Sequence, residues 1–337
     1  MTTAPHNSLP ATPSSSVDDI QASRPATEIS LTRVGVRGVE KVIRVAAGTE
    51  PGHHFFAELE CYVDLDPAQA GAHMSRFEEV INEAIDETVL GETMRAEELA
   101  AMIAVRIRER QEALRAEVKL RARYPETVDA PDSGIPTQEI YTLFGTAVAS
   151  EAVVRTLTGV EAQGMTACPC AQQLLVGRSR ERLKADGFTD EQIDLIFHDV
   201  PVATHNQRGI GAIHIGRPEN SGVDVDARDL LAIVEQSMSS EIYELMKRSD
   251  EAFVVEKAHM HPRFVEDCVR EMLRRVVERY PDLVDGGFVF ARQENLETIH
   301  RHTVLAERSG LLSEVADELR TGNRSVNHLS AEDWLHA

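Results

Sequence analysis

Two apolar rhythms alternate twice along this chain, and their order restricts the folds open to it. LTRVGVRGVEKVIRV carries strand-like alternation at Val34, Val36 and Val39, and HHFFAELECYVDLD reads as its partner beyond a turn at Gly48 to Gly52. Residues 30–65 therefore predict an antiparallel hairpin. Helical stripes follow. SRFEEVINEAIDETVL opens with Ser75 as a cap and Glu78 three residues on, a capping-box pattern. EELAAMIAVRIRERQEAL places Leu99, Met102, Ile103 and Ile107 on one stripe. Strand-like alternation returns in AEVKLRARY and VRTLTGVEAQGMTA.

The second half repeats the order. HNQRGIGAIHIG is strand-like, with Ile213 and Ile215 on one face. An amphipathic helix is expected over 226–247, with Leu230, Val234, Met238 and Ile242 on its stripe. Pro262 suits the first turn of a further helix carrying Phe264, Cys268 and Met272. GGFVFARQENLETIHRH reads as one or two strands, and RSRERLKADGFTDEQIDLIFHDV as an inserted helical pair. Two ββααββ-like units in tandem, with antiparallel sheets and helices on one face, make the class α+β. The expected divisions are a disordered tail over 1–27, modules over 28–160 and 161–312 with the insertion near 172–200, and a C-terminal tail over 313–337.

A formal net charge of −21 argues against nucleic acid as a partner, and an anionic substrate would need a local basic pocket. No apolar run approaches the roughly 18–20 residues that span a bilayer, so no membrane partner is expected. The first residues lack the apolar stretch of a secretory signal, and four cysteines without a disulfide framework fit free thiols in a cytoplasmic protein.

Cys168-Pro169-Cys170 and His205-Asn206-Gln207-Arg208 stand out chemically. Thiolate and imidazole are both good ligands for a borderline divalent metal, and so few protein ligands suggest an open site. Cysteines one residue apart on extended backbone point to opposite faces, which favours Cys168 alone as a ligand. Buried small residues at a turn would explain the pair equally well. Glu241 and Glu256 flank a stretch otherwise read as helix. Glu256 is the better functional candidate because it follows Phe253-Val254-Val255, where an ionised carboxylate needs a partner. Lys247 and Arg248 could hold phosphate or cap a helix C-terminus. Glu297, His300 and His302 form a third cluster, with the two histidines sharing a face if they lie on a strand. His259 and His261 read as surface residues, while Cys61 and Cys268 read as core.

Taken together, LTRVGVRGV, HMSRF, TACPCAQ, ATHNQRGIG, SMSSEIYELMKRSDEAFVVEKAH, FVEDCVREM and ETIHRH resemble the GTP cyclohydrolases of the type IB and archaeal family, over about residues 30 to 310. The resemblance implies two tunnelling-fold modules per chain in a homotetramer, with active sites at subunit interfaces. It implies a metal-dependent hydrolase that opens the GTP imidazole ring at C8 and releases formate. Cys168, His205 and Glu241 then correspond to metal-associated residues. Glu256 corresponds to the carboxylate reading the guanine edge, and Glu297, His300 and His302 to groups handling water and protons, alongside Cys168 and His205. Arg208, Lys247 and Arg248 are expected triphosphate partners.

The cofactor expected is one divalent metal per site, zinc, iron(II) or manganese. The expected product is 7,8-dihydroneopterin triphosphate, on the way to tetrahydrofolate. The archaeal alternative is 7,8-dihydroneopterin 2′,3′-cyclic phosphate, and CPCAQ, HNQRGIG and KRSDEA are closer to the archaeal wording. Two further readings stay open: a tunnelling-fold deazapurine reductase with a cysteine nucleophile and NADPH, and a non-catalytic purine-binding oligomer holding a structural metal.

Overall fold

A computed structural model describes residues 20–45, 53–90, 94–218, 221–325 and 327–337. The first unit runs β1 (Leu31–Val45), β2 (His53–Leu65), α1 (Met74–Leu90), α2 (Ala96–Gln111), β3 (Arg115–Asp129) and β4 (Pro136–Ser150). The second runs β5 (Val154–Ala167), α3 (Pro169–Ala185), α4 (Asp190–Asp199), β6 (Asn206–Arg217), α5 (Ala227–Gln236), β7 (Ser240–Glu241), α6 (Arg248–Met260), α7 (Val265–Arg279), β8 (Phe288–Leu296) and β9 (Val304–Leu311). Two short helices close the chain, α8 (Leu312–Thr321) and α9 (Ala331–His336).

Both units join one antiparallel sheet in the order β1-β2-β3-β4-β5-β6-β8-β9, with β7 added beside β5. Residues 161–312 therefore do not begin a separate sheet. Residue 160 lies inside β5, and the repeat divides in the short turn between β4 and β5. The main core lies between the sheet and its helices, with Phe77, Ile81, Leu99, Ile103, Ile213 and Met272 fully buried in it. The expected pattern of helices on one face holds except for α9. Its Trp334 packs on the opposite face against Val148, Leu157 and Phe288.

Several expectations need correction. The hairpin and the helical insertion form as read, and Cys61 and Cys268 are buried. The α7 stripe holds for Cys268 and Met272, but Phe264 is the exposed N-cap of α7 and not part of the buried stripe. The turn at Gly48 to Gly52 lies outside the described residues, as do residues 1–19 of the expected tail. Residues 20–27, however, make a turn tied to the body through Ala70 N–H to Ser23 O at 2.8 Å. α1 begins at Met74, one residue ahead of the cap expected at Ser75.

The helix expected over 226–247 ends at Gln236. Ser237, Ser239 and Ser240 follow, and serine hydroxyls compete for the backbone partners a helix would use. Ser237 Oγ donates to Ile233 O, while Ser239 Oγ accepts from Ala167 N–H. Pro262 precedes α7, whose first turn is capped by Asp267 accepting from Phe264 N–H. β4 is a strand beyond those expected. The expected C-terminal tail instead forms α8 and α9.

Candidate functional site

The cleft that gathers most of the chemistry lies on the helix-bearing face, where β5 ends and β6 begins. Cys168 follows β5 as the N-cap of α3, with Pro169 in the first helical position, where its missing N–H leaves nothing unsatisfied. The β5–β6 ladder carries through to the site, because Cys168 N–H donates to His205 O at 3.1 Å. Thr204 Oγ1 donates to Cys168 O at 3.0 Å. Cys168 and His205, far apart in sequence, are thus held as cross-strand neighbours by backbone geometry.

A cleft of about 260 Å³ is lined by Cys168, His205, Glu297, His300 and His302, with Gln207, Arg263 and Asn295 in its wall. Glu297 Oε2 lies 3.8 Å from His205 Nδ1, and its side chain is only 7% exposed. The strand expected to carry His300 and His302 stops at Leu296, and both lie in the loop between β8 and β9. Their rings nevertheless stack, with centroids 5.1 Å apart and planes 14° from parallel. Thr298 Oγ1 donates to Asn206 O and ties that loop to β6. A larger hollow of about 610 Å³ on the opposite sheet face, beside α9, holds none of these groups.

The remaining predicted residues do not line this cleft. Glu241, in β7, has its carboxylate paired with Lys257 Nζ. Glu256 is exposed on α6, between exposed Val255 and half-buried Lys257, so the apolar surround expected for it is absent. Arg208 sits on the sheet face opposite Gln207 and is exposed, as are Lys247 and Arg248 at the start of α6. Among the described residues no salt bridge engages these three cations.

Two further residues, His259 and Arg263, shape the site. His259, expected at the surface, is buried, and both ring nitrogens face backbone carbonyls, Nδ1 at 2.8 Å from Val255 O and Nε2 at 3.3 Å from Thr204 O. It therefore anchors α6 beside the β6 entry. Arg263 Nη1 donates to Ser237 O and its backbone N–H to Ala167 O, bracing the wall of the cleft. Neither has a local sequence signal, because each contact joins segments far apart in the chain.

Thiol, imidazole and carboxylate around one cleft suit a borderline divalent cation by donor type. Among the described residues, however, no three His, Cys, Asp or Glu side chains are grouped closely enough to hold an ion. A third ligand would have to come from a rearranged Glu241, Glu297 or imidazole.

Residues 17–306 match the family profile described as Type I GTP cyclohydrolase folE2. "GTP cyclohydrolase MptA" of Methanococcus aeolicus is 42% identical over 308 residues, covering 90% of this chain and 99% of that protein. The protein of the same name from Methanospirillum hungatei is 40% identical over 317 residues, covering 92% and 95%. That from Methanocaldococcus jannaschii is 42% identical over 306 residues, covering 89% and 97%. Among solved structures, the uricase of Arthrobacter globiformis aligns over 88% of this chain and 96% of its own, at 10% identity and a TM-score of 0.48. The profile match and the identity to these relatives show that the chain belongs to the type I GTP cyclohydrolase family described as folE2.

Proposed function

We propose that this protein is a metal-dependent GTP cyclohydrolase that opens the guanine imidazole ring at C8 and releases formate. The observation that carries the reading is the backbone-locked pair of Cys168 and His205 in one cleft with Glu297, His300 and His302. Cys168, His205 and Glu241 are the proposed metal ligands, with zinc, iron(II) or manganese as the ion. Recruiting Glu241 requires Lys257 to release it. The metal would supply Lewis acidity that makes water nucleophilic near neutral pH.

The protein's own groups do the rest. His300 and His302, exposed at the rim, can carry protons between the cleft and water, since an imidazole both donates and accepts a proton. Glu297, nearly buried beside His205, supplies a fixed acceptor. Glu256 would accept hydrogen bonds from the guanine edge, and Lys247 and Arg248 would neutralise the triphosphate. Arg208, which faces away from the cleft, would join them only in a site shared with another subunit. These four are exposed in the single chain, which suits a substrate site completed by another subunit of a homotetramer. Exposed Phe253 and Val255, on α6 with Glu256, support that assembly. Four free cysteines support a reducing, cytoplasmic setting, and no described helix is long and apolar enough to cross a membrane. Similarity to proteins named MptA favours the 2′,3′-cyclic phosphate as product over the triphosphate expected above.

Anaerobic incubation with GTP under zinc, iron(II) or manganese, followed by formate assay and mass analysis of the pterin, tests the reading. Formate and a dihydroneopterin phosphate are expected, and the mass separates the two products. No formate with any metal, or turnover of a deazapurine that depends on NADPH, would overturn it.

A further inference from the structure

Gln207 is 5% exposed and faces the cleft from the first turn of the β6 ladder. Its Oε1 lies 3.1 Å from His205 Nδ1, and its Nε2 donates to Thr166 Oγ1 at 3.0 Å. Thr166 is fully buried and is Gln207's direct cross-strand partner on β5. We propose that Gln207 is a positioning residue that fixes His205 in the tautomer protonated on Nδ1, leaving the Nε2 lone pair open to the cleft.

The amide could be oriented the other way, donating to a bare Nδ1 and accepting from the Thr166 hydroxyl, because a hydroxyl serves either role. Glu297 decides between them. Its carboxylate oxygen lies 3.8 Å from the same Nδ1, in a side chain 7% exposed. A bare Nδ1 would turn a lone pair toward that anion in a poorly solvated setting. A protonated Nδ1 instead faces two acceptors, the amide oxygen and the carboxylate. Nε2 meets no hydrogen-bond partner among the described residues, so it is the ring atom available to a ligand.

An unconstrained neutral imidazole favours the opposite tautomer, with the proton on Nε2, which cannot bind a metal through that atom. The ring of a ligating histidine is commonly oriented by a partner on its other nitrogen. Here that partner would be an amide held in register by a buried threonine. The tautomer assignment stands on this geometry alone, and its use in metal binding rests on the function proposed above.

The test uses the full-length, metal-free protein with 15N-labelled histidine, read by solid-state 15N spectroscopy. His205 is assigned by difference against His205→Ala. Wild type is expected to show His205 protonated on Nδ1. Gln207→Leu should shift part of the population to Nε2, because Glu297 at 3.8 Å is too far to hold the Nδ1 proton by a hydrogen bond. Gln207→Glu, which keeps an acceptor at that position, should retain the proton on Nδ1. A residue that only fills space would leave the tautomer unchanged in both variants. Cobalt(II) affinity, measured by its absorption spectrum, should fall about 10–100-fold in Gln207→Leu and be largely rescued in Gln207→Glu.

A wild-type His205 protonated on Nε2, or a Gln207→Leu spectrum identical to wild type, overturns the proposal. Should Gln207→Leu not fold, the wild-type and Gln207→Glu spectra decide it. If the tautomer switches in Gln207→Leu with no change in cobalt(II) affinity, the positioning role stands and His205 is removed from the metal ligands.

Discussion

One substitution, glycine to alanine, should have opposite effects at two positions of this chain. Gly209 pairs with Gly164 on β5 and Asn295 on β8, beneath the cleft. Its φ is outside the left-handed region, so alanine is conformationally allowed. Loss of unfolded-state freedom would then stabilise the fold by about 0.4–1 kcal/mol. Sterics oppose this. A Cβ at 209 would stand 2.4 Å from Gln293 Nε2 and 3.2 Å from both Asn295 Oδ1 and Met238 Sδ. Gln293 is fully buried and cannot swing into water. Overpacking a filled core costs about 1–3 kcal/mol. Displacing Gln293 also endangers its 3.1 Å bond to Asn295, worth about 0.5–1.5 kcal/mol. The steric side wins, with a net loss of about 2 kcal/mol. At Gly177, exposed in the middle of α3, a Cβ meets nothing within 4 Å. There alanine should gain about 0.8–1 kcal/mol from helix propensity. Urea midpoints of the two variants and wild type measure both effects. Because Asn295 lines the cleft, turnover should fall only in Gly209→Ala. A Gly209→Ala protein as stable as wild type would refute the close-approach reasoning.

Other outcomes can be checked alongside. Burial, with Glu241, Glu126 and Glu139 nearby, raises the Glu235 carboxyl to about 7, against a hydrogen bond from Tyr141 that favours the anion. Its folded pKa lies above its unfolded one, so stability falls as pH climbs from about 4.3 to 7. Glu235→Gln should therefore flatten that decline and out-melt wild type at pH 8 but not at pH 4; parallel melts at both pH values would contradict this. Asp250 behaves in the opposite sense. Its burial would raise the carboxyl, but donors from Ser133, Lys247 and Asp132 outweigh this and hold it well below the usual range. That contribution is present above the unfolded pKa and is lost as pH falls below it. Asp250→Asn should thus speed amide exchange at Asp132 and Ser133 near neutral pH, and unchanged exchange would sink the anchoring role. Cys168→Ala and His205→Ala should lose both bound metal and formate release. Glu256→Ala should keep the metal and raise KM for GTP, so metal loss in Glu256→Ala would count against the division of roles.

Much of the fold was legible because strand alternation and helical stripes record burial directly. The 30–65 hairpin, α2 and α7 each present one apolar face to one core, and their residues show it. The misreadings share a cause: the deciding contact lay elsewhere in the chain. Nothing between Asp226 and Lys247 announces that Ser239 will accept from Ala167 or that Ser240 and Glu241 will pair with Met165 and Gly164. The C-terminal segment likewise looks like a tail until Trp334 finds Phe288, 5.7 Å between ring centroids, above the gap left by Gly216.

The site was partly legible for a different reason. Strand parity alone already separates Gln207 from Arg208: odd positions of β6 share the face of Ile213 and Ile215, even positions face away. His205 has that odd parity too, so Gln207 was the residue to set beside it, and Arg208 the one to set apart. Residue type drew attention to the arginine, whereas direction selects the glutamine. The adjacency of Cys168 and His205 follows from the same strand geometry. It depends on ladder register between β5 and β6, which two regular strands fix over twelve consecutive partners from Thr156–Arg217 to Ala167–Asn206. Glu256, Lys247 and Arg248 lie instead at exposed positions of α6 and its cap, and their roles rest on the assembly proposed above. If a second subunit covers them, Glu256 and Lys247 should become protected from carbodiimide and acylating reagents in the assembled protein. Equal labelling of assembled and dissociated protein would place the guanine and phosphate contacts elsewhere.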